Sequence, residues 1–496
     1  MKKISDLLFA YAGNAAAKVI VDETGSYSVL DIARLARADA KKFRAAGVKT
    51  GERIIFQAEN SVRLLAAIMG AVRMGAVACP IHPATGRTRL KNIIEDATPA
   101  LLVTDEDRTE LYAGMDARPA VIKLGASSPL LPSAHAPAGP VAGKNVFALV
   151  YTSGSAGRPM GVMLGHRQAL FAVGAICDVL RLNPGDSILS GLPLSFDYGL
   201  YQFFLALKSG ATLVLRRNFD YPMAVPGLLA RHGITVFPAI PSLLAVLLRS
   251  RLLERVELPS LKLITSTGDV LPAGHVTKLK KILPGTEVVK MYGLTECKRV
   301  SVMPRGMGEG REDSVGLPLP GTEVKIIDNE GRPVGPGRTG ELVVIGPHVM
   351  DGYWNAPKET ARRFAVGKTG EAGELRTGDL FSMDDDGFLR FVARKTKIIK
   401  TSGMQASPAE IENFLCSLDG VTESAVLGIQ DGDRGRLVCA ALSVGRESDL
   451  DGPEIRRLCA YHLAPHLVPA KVVVTKRRLP KTENGKINRK MIRSFF

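Results

Sequence analysis

From Arg53 to Gly293 the chain alternates two kinds of segment. RIIFQA, AVACPI, PALLVTD, VFALVYTS, SILSGLPL, ATLVLR, ITVFPAI, LKLITSTGD and TEVVKMYG are short apolar runs, most of which end in polar turns. Between them VRLLAAIMGAVRMG, RQALFAVGAICDVL, LYQFFLALKSG, MAVPGLLARHG, PSLLAVLLRS and HVTKLKKILPG read as helices. Strand and helix in regular alternation demand largely parallel sheets covered by helices, with ligands bound in the polar loops at strand ends.

The rhythm changes near Gly316. GTEVKIIDNEGRPVGPGRTGELVVIG reads as antiparallel strands joined by Gly-rich turns, and FSMDDDGFLRFVAR as a further hairpin. The Asp384–Asp386 run is spaced as a turn rather than as a calcium loop. Beyond Arg394 the order is helix (SPAEIENFLCSL), two strands (ESAVLGIQ, LVCAALSV), helix (GPEIRRLCAYHL) and strand (AKVVVT). The expected fold is α/β. Residues 1–393 form a large domain of helix-covered sheets with a β-barrel-like subdomain, and residues 394–496 a small α+β domain, with the boundary at Ala393–Lys397.

Composition narrows the function classes. A chain of 496 residues, 46% hydrophobic and 23% charged, is long enough for two or three cored domains. Its six cysteines form no C-x-x-C pair and its eight histidines do not cluster, so reduced thiols and no structural metal are expected. The start MKKISDLLFAYAGNAAAKVI opens like a signal peptide, but Asp6, Asn14 and Lys18 interrupt it; it reads as an amphipathic helix. No run approaches a membrane span, and a soluble cytoplasmic protein is expected. The net charge of +16 is spread along the chain with few aromatics interleaved. That favours an anionic substrate or partner over nucleic acid or a membrane.

The stretch YTSGSAGRPMGVMLGH, residues 151–166, has the makings of a phosphate cradle. Thr152, Ser153 and Ser155 offer hydroxyls, Gly154 and Gly157 allow backbone N–H groups to converge, and a helix is expected just after. It lacks the G-K-[ST] ending of a Walker loop. Further on come MYGLTECKRVS, GELVVIGPHVMDGYWN, LRTGDLFSMDDDGFLRFVAR and PKTENGKINRK. In this order and spacing the five motifs resemble the adenylate-forming superfamily of acyl-CoA synthetases, luciferase and peptide-synthetase adenylation domains, over nearly the whole chain.

The resemblance implies a reaction in two halves. A carboxylate attacks the α-phosphate of Mg-ATP to give an acyl-adenylate and pyrophosphate. A phosphopantetheine thiol, on CoA or a carrier protein, then displaces AMP. Catalysis is positioning and charge neutralisation. The resemblance implies that Tyr292 stacks on adenine beside Gly293, that Thr295 contacts phosphate and that Glu296 holds Mg2+. Asp379 is expected on the ribose hydroxyls, with Arg394 helping. Gly268–Asp269 resembles an adenine-binding turn, although Asp269 is also placed to cap a helix. Lys486 in N-G-K is expected to ride in on a mobile small domain and bridge the carboxylate and the α-phosphate. Among the departures, the loop has Ala156 and Met160 where relatives carry a hydroxyl and a lysine, with Arg158 as a partial substitute; this predicts a slower enzyme. Ala393 and Thr396 depart from the usual hinge, and Lys400 resembles a lysine that some members use in the thiol step.

For the acid, SFDYGL is the informative stretch. Amino-acid-activating members carry F-D there, so Asp197 is expected to anchor a substrate ammonium; the alternative is a helix cap. Tyr198, Tyr201, Pro238, Ile264, Ser266, Met291, Arg299 and Val300 match the rest of the specificity pocket. SFDYGL with YGLTECKRVS is similar to stand-alone prolyl-carrier-protein ligases and exosortase-associated acyl-CoA ligases. The expectation is a ligase loading a small amino acid such as proline onto a separate carrier protein. An acyl-CoA ligase and a degenerate adenylate- or acyl-binding protein are the alternatives.

Overall fold

A computed structural model describes residues 2–10, 19–105, 109–112, 115, 119–124, 129–131, 143, 145–153, 159–366, 373–395, 398–401, 404–431, 435–483 and 485–496. Two large sheets dominate. In one, Arg53–Gln57 and Val77–Ile81 lie at the centre, buried along their whole length and paired in parallel, as their unbroken apolar runs require. Leu101–Thr104, Ala120–Lys123 and Val146–Ser153 extend this sheet in parallel, and antiparallel strands close its two edges. In the other, five parallel strands from Thr212–Leu215 to Glu287–Tyr292 bring successive strand ends to one rim.

The main hydrophobic cluster draws on both sheets and on the helices Val29–Ala45, Val62–Met74, His166–Leu180 and Asp197–Ser209 between them. Because Val62–Met74 is covered on all sides, nearly every residue in it is apolar and buried. The Ser61 hydroxyl caps its start, accepting from the Leu64 N–H at 3.1 Å, and Gly75 ends it in the left-handed region.

A third, five-stranded antiparallel sheet runs from Glu323–Ile327 to Leu389–Arg394. The fourth sheet begins at Ile399–Thr401; its long hairpin Val421–Asp431 and Gly435–Val444 packs on the helix Pro408–Ser417. The expected α/β organisation, a large N-terminal and a small C-terminal domain, is borne out. All six cysteines are buried and unpaired.

Two local expectations change. The N-terminal helix covers only Asp6–Phe9, and residues 11–18 lie outside the described residues. The loop after Ser153 is shorter than the stretch suggested, although the helix expected just after that stretch is present. The loop joins Val146–Ser153 to an antiparallel strand, Pro159–Gly165, with Thr152 opposite Met160, and the helix starts only at His166. MGVMLG, read as part of the loop, instead pairs along its whole length with the preceding strand.

Candidate active site

The rim of the nine-stranded sheet carries most of the expected residues. Tyr292 ends the strand Glu287–Tyr292, and its hydroxyl donates to Asp379 Oδ2 at 2.8 Å. Arg394 Nε lies 3.3 Å from the other oxygen, Oδ1. Asp379 sits in the strand Gly373–Met383, only 2% exposed, and burial raises its carboxyl above the usual range, opposed first by Arg394. The Tyr292 ring packs edge-on to Phe381. Tyr292, Asp379 and Arg394 share one cavity with Ser266, Gly268, Asp269 and Gly293, which gathers the residues expected around adenine and ribose. Asp269 caps no helix: its Oδ1 accepts from the Val270 N–H at 2.9 Å, and the next helix starts at Ala273.

Glu296 follows on the turn. Its Oε1 accepts from Tyr353 Oη and Arg363 Nη1, both at 2.6 Å, and Oε2 has no hydrogen-bond partner among the described residues. Thr295, beside it, is half-buried with no side-chain hydrogen bond among the described residues. No group of three His, Cys, Asp or Glu side chains among the described residues encloses a cation. One carboxylate with a free oxygen suits Mg2+, which keeps its waters and is completed by substrate phosphates. Of the phosphate loop, Thr152 ends a strand with Ser153, while Gly154, Ser155, Ala156, Gly157 and Arg158 lie outside the described residues. Met160 is half-buried against the main cluster, on the strand rather than in the loop.

Lys486 arrives from the small domain. Residues 481–487 fold back on themselves: the Thr482 N–H donates to the Lys486 carbonyl at 2.7 Å and the Gly485 N–H to the Thr482 carbonyl at 2.9 Å. Two ion pairs, Arg489 to Glu412 at 2.7 Å and Lys481 to Glu423 at 2.8 Å, fix this turn to its own domain. Gly485 has φ +71, and a Cβ there would lie 2.5 Å from Ile240 Cδ1 of the large domain, so the turn requires glycine. Lys486 Nζ then stands 5.7 Å from the centre of the Phe196 ring. Burial lowers its pKa, opposed by the negative charges of Asp269, Asp197 and Glu296. A cation held in this way is available to a developing negative charge.

The acid pocket departs from expectation. Asp197 begins the helix Asp197–Ser209, but its Oδ2 is held by Lys298 Nζ at 3.1 Å, and Lys298 also donates to the Asp197 carbonyl at 2.9 Å. Both side chains are buried. The carboxylate expected to meet a substrate ammonium thus already has an internal one. Lys298 adopts φ +59 to reach it. The turn is so tight that a Cβ on Gly293 would lie 2.2 Å from the Lys298 carbonyl oxygen. Burial pushes the Lys298 ammonium down to about 8, with Asp197 pulling the other way.

Tyr198, Tyr201, Met291 and Arg299 line one cavity with Lys298, and Tyr198 is tied to Thr265 through hydrogen bonds at 2.8 and 2.9 Å. Ile264 and Val300 pack into separate apolar clusters and line no cavity described above, and Pro238 sits within the strand Val236–Ala239. Lys298, Arg363 and Tyr353 went unread in the sequence, and Phe196 entered only as the first residue of the F-D pair. Only Lys298 had a signal there, as the first member of a basic pair directly after Glu296–Cys297.

Comparison with known proteins agrees with this geometry. Residues 9–354 match the model of the AMP-binding enzymes and residues 410–486 that of their C-terminal domain. An L-proline–[L-prolyl-carrier protein] ligase of Streptomyces coelicolor is 31% identical over 90% of this chain and 88% of its own. A feruloyl-CoA synthase of an Amycolatopsis species is 30% identical over 94% and 92%. The ATP-bound structure of MatB from Rhodopseudomonas palustris superposes with a TM-score of 0.88 at 26% identity, covering 100% of this chain and 99% of its own. With the two family models matching most of the chain and Tyr292, Glu296, Asp379 and Lys486 brought to one rim, the chain belongs to the family of AMP-binding, adenylate-forming enzymes.

Proposed function

We propose that this chain adenylates a small carboxylic acid with ATP and passes the acyl group to a phosphopantetheine thiol, on a separate carrier protein or on CoA. The observation that carries this reading is the placement of Lys486. A turn of the small domain puts its ammonium beside Phe196, within electrostatic reach of Asp197, Asp269 and Glu296. In the first half-reaction a carboxylate oxygen bonds to the α-phosphorus as the bond to the β-phosphate breaks. Lys486 neutralises the charge that gathers between them, and Asp379 with Tyr292 orients the nucleoside. Glu296, with its free oxygen, would hold Mg2+, which would supply charge neutralisation at the phosphates. In the second half-reaction the thiol sulfur bonds to the acyl carbon, AMP departs, and the thiol proton goes to solvent.

Residues 1–393 would bind ATP and acid, and residues 394–496 would move between the half-reactions. The likeness to the prolyl-carrier ligase supports a carrier protein as acceptor; the likeness to feruloyl-CoA synthase supports CoA. An amino acid substrate draws support from the first of these, but the Lys298–Asp197 pair weighs against it. The joint presence of Glu296, Asp379 and Lys486 weighs against a degenerate binding protein. The test is acid-dependent ATP–pyrophosphate exchange, followed by thioester formation with CoA and with a carrier protein that bears a free phosphopantetheine thiol. Absence of exchange with every acid class would refute the ligase reading.

A further inference from the structure

Arg299 is 3% exposed, and a guanidinium cannot shed its charge by deprotonation. Among the described residues it forms no ion pair. Nη1 donates to Thr267 Oγ1 at 2.7 Å, the guanidinium lies 5.5 Å from the Tyr198 ring centre, and Nε has no partner. The one nearby carboxylate, Asp197, is bonded to Lys298. Across the same cavity Tyr201 is fully buried and its hydroxyl also lacks a partner. Buried polar groups without partners are rare, and a buried unpaired cation is costly. Two such atoms on residues that line one cavity, beside a lysine in strained backbone, mark a place that a ligand completes.

The charge count gives the sign of that ligand. Lys298 and Arg299 contribute two positive charges and Asp197 one negative, so an added ammonium would meet a net positive wall. The remaining walls are mostly apolar, from residues such as Leu180 and Leu205, with Gln202 and Thr265 as polar members. Met291 lines both this cavity and the nucleotide cavity, so the two adjoin.

On the basis of the ligase reading, we propose that this cavity receives the far end of the substrate acid. That end is a second carboxylate, hydrogen-bonded by Arg299 and the Tyr201 hydroxyl. The substrate class is a dicarboxylic acid, not an amino acid; Lys298 occupies the place that an α-ammonium would take.

The experiment is ATP–pyrophosphate exchange with short straight-chain dicarboxylic acids, the monocarboxylic acids of matched length, and L-amino acids including proline. Wild type is expected to favour a dicarboxylic acid over its monocarboxylic match by about 10- to 150-fold in kcat/KM, as for a charge-assisted hydrogen bond. Tyr201→Phe removes only the hydroxyl and should lower that preference about 2- to 12-fold. Arg299→Met should abolish the preference. An amino acid or a plain monocarboxylic acid as best substrate overturns the proposal and leaves the ligase reading intact. So does a loss in Tyr201→Phe that is equal for both acid types. If Arg299→Met fails to fold, the wild-type panel and Tyr201→Phe decide alone. Exchange with no acid at all overturns the ligase reading and this inference with it.

Discussion

Lys298→Met isolates the most consequential contact in the acid pocket. The substitution keeps the length of the stem over the Tyr201 ring, where Nζ now lies 4.1 Å from the centre, and removes the charge together with its two hydrogen bonds to Asp197. Asp197 is then left buried with no cation bonded to it. Removing one partner of a buried ion pair costs about 3–5 kcal/mol. Unfolding entropy of about 2.1 cal/mol/K per residue gives roughly 0.8 kcal/mol/K for a domain of this size, so Tm should fall by about 4–6 °C. Arg299 nearby places the expected value at the low end. The freed carboxylate becomes an anchor for an ammonium, so an L-amino acid should raise the Tm of the mutant and support pyrophosphate exchange that wild type does not. Differential scanning calorimetry with and without amino acid, together with the exchange assay, measures both effects. Lys298→Met combined with Asp197→Asn should recover most of the stability and lose the amino acid response. A mutant that melts with wild type and shows no new response to amino acids would refute the reasoning.

Lys486→Ala should abolish adenylate formation while thiol transfer from a supplied acyl-adenylate persists, as single-turnover assays of each half-reaction can show; equal loss of both contradicts the role. Because burial lowers the pKa of Lys486 from 10.5 and the residue acts only when protonated, exchange should be lost as pH rises through a value below that of an ordinary lysine. A pH profile of kcat/KM whose alkaline limb lies at or above the ordinary value would count against this. Gly485→Ala forces a side chain into a left-handed turn against Ile240 and should slow adenylation far more than it lowers the Tm of the small domain, read by exchange rate against melting temperature.

Periodicity carried the fold. Unbroken apolar runs such as RIIFQA are buried on both faces only in a parallel sheet, and the switch to turn-rich strands after Gly316 marks the third sheet. Motif order likewise singled out Tyr292, Glu296, Asp379 and Lys486, because their spacing along the chain is a local property. The strand Pro159–Gly165 was missed because its proline and two glycines read as loop; its pairing with Val146–Ser153 settles its conformation. Asp197 shows the deeper limit. Its residue type and its neighbour Phe196 define a carboxylate at the mouth of a pocket, but whether that carboxylate is free depends on Lys298, 101 residues away. Only a left-handed turn at Lys298, accommodated by the missing side chain of Gly293, carries the ammonium inward and leaves Arg299 without a carboxylate. Charge in a buried pocket is a sum over residues distant in sequence, so the family was legible motif by motif, whereas the charge around Asp197 was decided by packing.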